Sequence, residues 1–448
     1  MKFRNKESLS RADVNSVPKK AAKRKFFINL ASRMCLSREK MARYALKNAE
    51  FYRRLYKDRD LSGEFNFESL PLVLKTEINK SSPFDLLSDE LKDDVFKYGE
   101  TTGSTGSPTP SFFTRKEFMG SVLLTRMTPF HALINEVKKE NRRAVCGLAC
   151  GFTIAGPSFQ QILDHYGFLT ANVDARTTIA PPERVARLLV RFKPAVIAAA
   201  ETDFLAWMKV VQEKYPEHYS EVVSNLKALL STAELCSESR SKQISDYFDI
   251  IHIDNYACVE GYFSVPCICG EKHVLPVYHT EVLSEDLTET GEYGSGRFAF
   301  TNLLRKSTPF VRYMLDDFVT ISKSSCPYGF KKTIQPHGRY ELTVVINNRR
   351  YGIRHFEDIL FKNHLFGEYT IQILEKQIIV TAENYSTNTF VDVDRITAEL
   401  QNEFAMPVEM EVLPYGHLRD YHQIRKSKPL LRLIDERAVS MQKVPEYV

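Results

Sequence analysis

From Phe26 to Asp58, apolar and aromatic side chains recur every three or four positions, as in Met41, Tyr44, Ala45, Ala49, Tyr52 and Tyr56. That period puts them on one helical face and predicts a helical cover at the N-terminal end. Between about residues 95 and 320 the pattern changes, and short apolar runs alternate with helical stretches. Strands are expected at Arg143–Ala149, Phe168–Val173, Ala195–Ala200, Leu226–Ser231 and Ile250–Asp254. Helices are expected over Ser158–Tyr166, Pro182–Arg191, Thr202–Lys214 and up to Phe248, with Pro181 and Pro182 opening the second. A β-α-β-α rhythm of this kind predicts a largely parallel sheet with helices on both faces.

After about residue 270 the rhythm breaks. Phe298–Thr301, Phe318–Ile321 and Leu342–Ile346 read as antiparallel strands. Glu368–Leu374 and Gln377–Glu383 flank a polar turn at Glu375-Lys376, and a helix over Val393–Phe404 precedes a strand at Val408–Leu413. The chain therefore divides, near His337–Tyr340, into a large α/β N-terminal domain (26–337) and a small α+β C-terminal domain (338–448). A flexible basic arm, residues 1–25, precedes them.

Composition narrows the class without naming a function. The 448 residues are 43% hydrophobic and include 29 Phe and 21 Tyr, enough to build a core and exclude global disorder. A net charge of +5 is too mild to argue for nucleic acid. The best apolar run, Ala195–Ala200, is far short of the about 18 residues a membrane span needs. Eight scattered cysteines without a secretory leader read as reduced thiols in a cytoplasmic protein.

The strongest local signal is the run Thr101-Thr102-Gly103-Ser104-Thr105-Gly106-Ser107, where hydroxyls surround two glycines. Small residues let backbone N–H groups approach an anion, and the hydroxyls add donors. No Gly-Lys-Ser/Thr closes the loop, so it is not a Walker A motif. Downstream lie Ser231-Thr-Ala-Glu234, Asn255-Tyr256-Ala-Cys-Val-Glu260-Gly261, Pro309-Phe-Val-Arg-Tyr-Met-Leu-Asp-Asp317 and Gly338-Arg339. A separate group, Cys267, Cys269 and His273 with Cys326 further on, has the content of a tetrahedral zinc site, or of buried free thiols.

In this order the motifs resemble those of the AMP-forming adenylating superfamily. Phe51-Tyr52 and Leu70-Pro-Leu-Val-Leu-Lys75 are similar to segments of its phenylacetate–CoA ligase branch, near the coenzyme-adenylylating synthetases. The resemblance implies a large N-terminal domain with a mobile C-terminal lid. It also implies ATP and Mg²⁺, a carboxylic acid substrate of aryl or arylacetic type, and transfer of the acyl group to CoA or a carrier-protein phosphopantetheine. Loop residues 101–106 would hold phosphates, Glu260 the Mg²⁺, Glu234 and Asn255 the adenine side, Tyr256 the adenine face, Asp317 the ribose, and Arg339 the nucleotide at the hinge. The acyl pocket would draw on Gly151-Phe152-Thr153 and the surroundings of Ala233 and Asn255. Lys428, with Lys426 as the alternative, would be the catalytic lysine of the lid.

Ser107 replaces a frequent lysine, and Gly338-Arg-Tyr-Glu-Leu342 lacks the acidic hinge pair. These departures leave open an adenylyltransferase that keeps AMP on a coenzyme hydroxyl, or a non-catalytic nucleotide-binding relative.

Overall fold

The computed structural model describes residues 17–101, 108–125, 129–267, 269–386, 390–423 and 430–437. The N-terminal cover is three helices, Val17–Met34, Arg38–Asn48 and Glu50–Leu55, rather than one. Ser37 caps the second by accepting from the Lys40 N–H at 3.2 Å, and Ala49, extended at φ −129°, breaks the chain before the third. The first helix begins inside the segment expected as a flexible arm, because Val17 onward already supplies helix formers. Met41, Ala45, Phe51, Tyr52 and Tyr56 are buried against Phe263, Phe298, Phe300 and Tyr313. The Tyr52 hydroxyl there accepts the Val311 N–H at 2.9 Å.

The expected parallel sheet is present with five strands. In spatial order these are Leu169–Asn172, Arg143–Cys146, Val196–Ala198, Ala228–Ser231 and Ile251–Asp254. Alternate residues enter different cores, as a sheet covered on both faces requires. Ala144, Cys146, Val196, Ala198 and Leu230 pack with Phe159 and Leu163. Val145, Ile197 and Leu229 pack with Phe204, Trp207 and Phe248. Spatial order reverses between the first and third strands of the chain, which opens a crevice at the carboxyl ends of the sheet.

The strands flanking this unit in the larger domain, at 95–114 and 256–339, pair antiparallel. Val95–Glu100 and Pro110–Thr114 form a hairpin, so the parallel rhythm starts only at residue 143. Residues 256–339 build an eight-stranded sheet, much larger than the isolated strands expected there. Close packing supports it: a Cβ on Gly296 would lie 2.2 Å from the Leu283 carbonyl oxygen.

The segment after Arg339 has its own core. Strands Val408–Pro414, Ile378–Asn384, Tyr369–Ile373 and Leu433–Asp435 form a sheet in that order. Helices Ile353–Lys362 and Val393–Phe404 cover it, with Phe356 stacked on Phe404 at 4.2 Å between centroids. Leu342 ends a 3₁₀ turn, and the strand expected from it begins at Val344. The unit docks through a buried ion cluster. Arg240, on helix Glu238–Phe248, is wholly buried with Glu357 at 3.4 Å and Glu368 at 3.3 Å. Phe366 and Tyr385 enter the Trp207 core.

Candidate functional site

In the sequence the hydroxyl-rich run joins the two strands of the hairpin Val95–Glu100/Pro110–Thr114. Thr101 and Thr109 pin the base of the loop. The Thr101 N–H donates to the Thr109 carbonyl at 3.2 Å, and the Thr109 N–H donates to Thr101 Oγ1 at 2.9 Å. Thr102, Gly103, Ser104, Thr105 and Gly106 lie outside the described residues, as do Lys426 and Lys428. The segment 151–154 presses on the same hairpin. The Glu100 N–H donates to the Phe152 carbonyl at 2.8 Å, and a Cβ on Gly99 would meet Ile154 Cγ2 at 2.5 Å. Phe152 adopts a left-handed conformation (φ 55°) and is exposed.

From Thr109, hydroxyls lead to a buried carboxylate. Thr109 Oγ1 is 3.1 Å from the Tyr313 hydroxyl, which donates to Glu260 Oε1 at 3.1 Å. Glu260 is 2% exposed, and its Oε2 has no hydrogen-bond partner among the described residues. Arg305 holds the adjoining backbone, donating to the Glu260 carbonyl at 2.8 Å while lying 4.7 Å from the Phe113 ring centre. An unpaired carboxylate oxygen beside hydroxyls is a donor set suited to a hard cation such as Mg²⁺.

Tyr256, Asp317 and Arg339 come together beside it. Asp317 and Arg339 are register partners on neighbouring antiparallel strands, and their side chains meet at 3.3 Å. The Tyr256 hydroxyl donates to Asp317 Oδ2 at 2.5 Å. Burial, then the Asp317 charge, pushes the Tyr256 phenol well above its ordinary value, so it stays a donor. The Asp317 carboxylate likewise raises the Arg339 guanidinium. The ring of Tyr256 packs against Phe263 at 5.4 Å. The neighbouring Asp316 faces another way, 3.3 Å from Arg297.

Asn255 and Glu234 follow the last two parallel strands. Asn255 is buried, donating to the Ser231 carbonyl at 3.1 Å and accepting from Tyr262 at 2.6 Å. Both oxygens of Glu234 are engaged, one by Arg176 at 2.6 Å and the other by Thr202 at 2.5 Å. Arg432 adds its charge at 3.8 Å. Burial opposes ionisation here, yet the Arg176 and Arg432 guanidiniums hold the Glu234 carboxyl well below the usual carboxylate range.

The cysteine group also assembles. Potential ligand atoms of Cys267, Cys269, His273 and Cys326 lie within 4.8 Å of one another. Cys269 Sγ is 3.0 Å from His273 Nε2, Cys267 Sγ is 3.9 Å from Cys326 Sγ, and Phe330 stacks on the imidazole at 4.7 Å. All eight cysteines are free thiols.

Three participants had not been singled out as site residues. Thr109 closes the hydroxyl run and Tyr313 sits inside the Pro309–Asp317 motif, so both carried a signal. Arg305 carried none. The motif arginine, Arg312, serves structure instead: it pairs with Glu281 at 2.9 Å and donates to the Glu68 and Leu70 carbonyls.

No family profile and no curated protein matches the chain. Solved structures do. A 2-hydroxyisobutyryl-CoA ligase in the postadenylation state, in complex with R3-HIB-AMP, gives a TM-score of 0.67 at 16% identity, covering 98% of this chain and 94% of that chain. The same ligase in the thioesterification state, with 2-HIB-AMP and CoA, gives 0.55 at 17% identity, covering 97% and 93%. An acyl acid amido synthetase in complex with 2,4-DB gives 0.59 at 11% identity, covering 89% and 90%. The likeness is one of fold: the chain shares the fold of these ligase and synthetase structures.

Proposed function

We propose that the protein is an ATP-dependent, AMP-forming acid–thiol ligase. It would convert a carboxylic acid, of aryl or arylacetic type, to an acyl-adenylate with release of pyrophosphate. The acyl group would then pass to a thiol of CoA or of a carrier protein. The observation that carries the reading is the buried Glu260, with one free carboxylate oxygen, at the base of the hydroxyl-rich loop.

Thr101 and loop residues 102–106 bind the β- and γ-phosphates through N–H and O–H donors. Glu260 would hold Mg²⁺, with Tyr313 fixing its other oxygen, and the ion would supply charge neutralisation for the phosphates. Asp317 accepts from the ribose hydroxyls, and Arg339, 3.3 Å away, orients that carboxylate. Asn255 and the Ser231–Glu234 turn border the adenine and the acyl group. Lys428 approaches the carboxylate and α-phosphate as a mobile point charge. Little covalent work is asked of the protein, so positioning and charge stabilisation carry the rate. Cys267, Cys269, His273 and Cys326 would hold a structural Zn²⁺ away from this chemistry.

Pyrophosphate exchange across a panel of acids tests the proposal. An aryl acid should support exchange, and Lys428→Ala should abolish it. Exchange with no acid at all would refute the ligase reading. Thiol-dependent release of AMP separates acyl transfer from an enzyme that leaves AMP on its substrate. No helix among the described residues is long and apolar enough to cross a membrane, and the free thiols suit a reducing cytoplasm.

A further inference from the structure

A second group of metal-ligating side chains gathers around the last three parallel strands of the five-stranded sheet. Glu201 opens the helix after Val196–Ala198, Cys236 lies in the turn after Ala228–Ser231, and His252 is within Ile251–Asp254. They are 0%, 3% and 9% exposed, and their potential ligand atoms lie within 4.8 Å of one another.

Charge bookkeeping makes this cluster unusual. Neither oxygen of Glu201 has a hydrogen-bond partner among the described residues, though Oε1 lies 3.3 Å from His252 Nε2. The neighbouring carboxylate, Asp254, has its own counter-ion in Lys272 and accepts from Ser231 Oγ at 3.2 Å. The guanidinium of Arg240 is directed to Glu357 and Glu368. Among the described residues Glu201 is thus a buried carboxylate with no hydrogen bond of its own, and Lys272, which its charge also reaches, is paired with Asp254. The helix N-terminus at which it sits offsets only part of the desolvation cost.

We propose that Glu201, Cys236 and His252 form a site for a zinc-class divalent cation. A thiolate, an imidazole and a carboxylate are the borderline mixture that such ions select, and a thiolate argues against Mg²⁺ or Ca²⁺. Ser231 Oγ, 2.7 Å from His252 Nε2, is placed to take or to orient a fourth ligand. The ion would staple these three strands together. Glu234 and Asn255, beside the nucleotide, follow directly from two of them, so the staple is structural and not part of the adenylation chemistry.

The test is zinc stoichiometry on the full chain, purified under reducing conditions, stripped with chelator and reloaded with Zn²⁺. Glu201→Gln keeps shape and removes the charge. It should bind one equivalent less than the unmodified protein, whatever the Cys267 cluster contributes to both. Cys236→Ser should lose the same equivalent, and Co²⁺ reloading should lose a corresponding part of its thiolate charge-transfer band. Should either variant fail to fold, His252→Asn supplies the same comparison. Equal zinc content in the unmodified and variant proteins, or no zinc in any of them, overturns the proposal. Loss of pyrophosphate exchange would leave this result untouched, so the two proposals fail separately.

Discussion

Glu260 and Asp317 are both carboxylates beside a tyrosine hydroxyl, yet their surroundings assign them different work. Glu260 keeps one oxygen free in a buried pocket, whereas Asp317 is held from both sides by Tyr256 and Arg339. Glu260→Gln should therefore lower the rate of pyrophosphate exchange by about 10²–10³ with little change in stability, as loss of a preorganised charge contact does. Asp317→Asn should act on binding, raising KM for ATP by roughly 10-fold, the equivalent of about 1.4 kcal/mol. His337 makes a separate prediction. Burial and the His355 ring stacked at 4.5 Å push its imidazole down from 6.5 to about 3, and its Nε2 meets Thr320 Oγ1 at 2.8 Å. The folded state prefers neutral His337, so the unfolded chain binds the extra proton between those values. Stability is fully present above pH 6.5 and falls as pH drops towards 3, by up to about 1.4 kcal/mol per pH unit. Urea midpoints at pH 7 and pH 5 should reveal this loss, and His337→Asn should flatten it.

At the level of elements, helices Glu238–Phe248 and Ile353–Lys362 are joined by charge rather than by apolar area alone. Arg240 and Glu357 have fully buried side chains, and Glu357 also accepts the Ser237 N–H at 2.8 Å and the Tyr369 hydroxyl at 2.7 Å. Removing Glu357 leaves Arg240 with Glu368 alone and strands the Ser237 N–H and the Tyr369 hydroxyl, so Glu357→Leu should cost about 3–5 kcal/mol. The double variant Arg240→Met/Glu357→Leu should recover much of that loss in thermal unfolding. The segment expected as a hinge is similarly constrained. Tyr340 is clamped between Arg297 and Arg350, 4.7 and 4.5 Å from its ring centre, where the related motif would carry small or acidic residues. Gly338 just before it has φ 113°, a conformation that a side chain would strain.

Over the whole molecule, the C-terminal unit is held to the larger one by Arg432. This residue bonds Glu368 at 3.1 Å and approaches Thr202 at 3.4 Å and Glu234 at 3.8 Å. If the lid rotates between half-reactions, these contacts must break. Arg432→Ala should then depress pyrophosphate exchange by about 10-fold more than it depresses thioester formation from a preformed adenylate, since one lost charge-assisted contact amounts to about 1.5 kcal/mol. Equal losses in both steps would remove Arg432 from any role in lid position.

Much of the architecture was legible in the order of apolar runs. Strands buried on both faces read as short continuous apolar segments, and the helix Val393–Phe404 was marked by its 3.6-residue period. The eight-stranded sheet was not, because its short strands at Tyr256–Ala257, Lys272–Val274 and Thr290–Gly291 carry too few residues for a period of two to register. Nor did the break at Ala49 register, since the helical spacing continues across it. At the site, motif order brought Glu260, Asp317 and Arg339 onto one list, because each sits at a fixed place relative to a strand end. The pairing of Asp317 with Arg339 depends on strand register, which places residues far apart in sequence side by side.

Local chemistry along the chain was therefore set by residue type and spacing: which segments bury themselves, where hydroxyls cluster, and which carboxylates follow strands. Whether a carboxylate stays free was settled by packing. Glu234 is tied to Arg176 and Thr202, Glu260 keeps one oxygen open, and Glu201 is buried beside Cys236 and His252. Charge interactions act through space, and burial multiplies them by removing water, so neighbours remote in sequence decide what each acid can do.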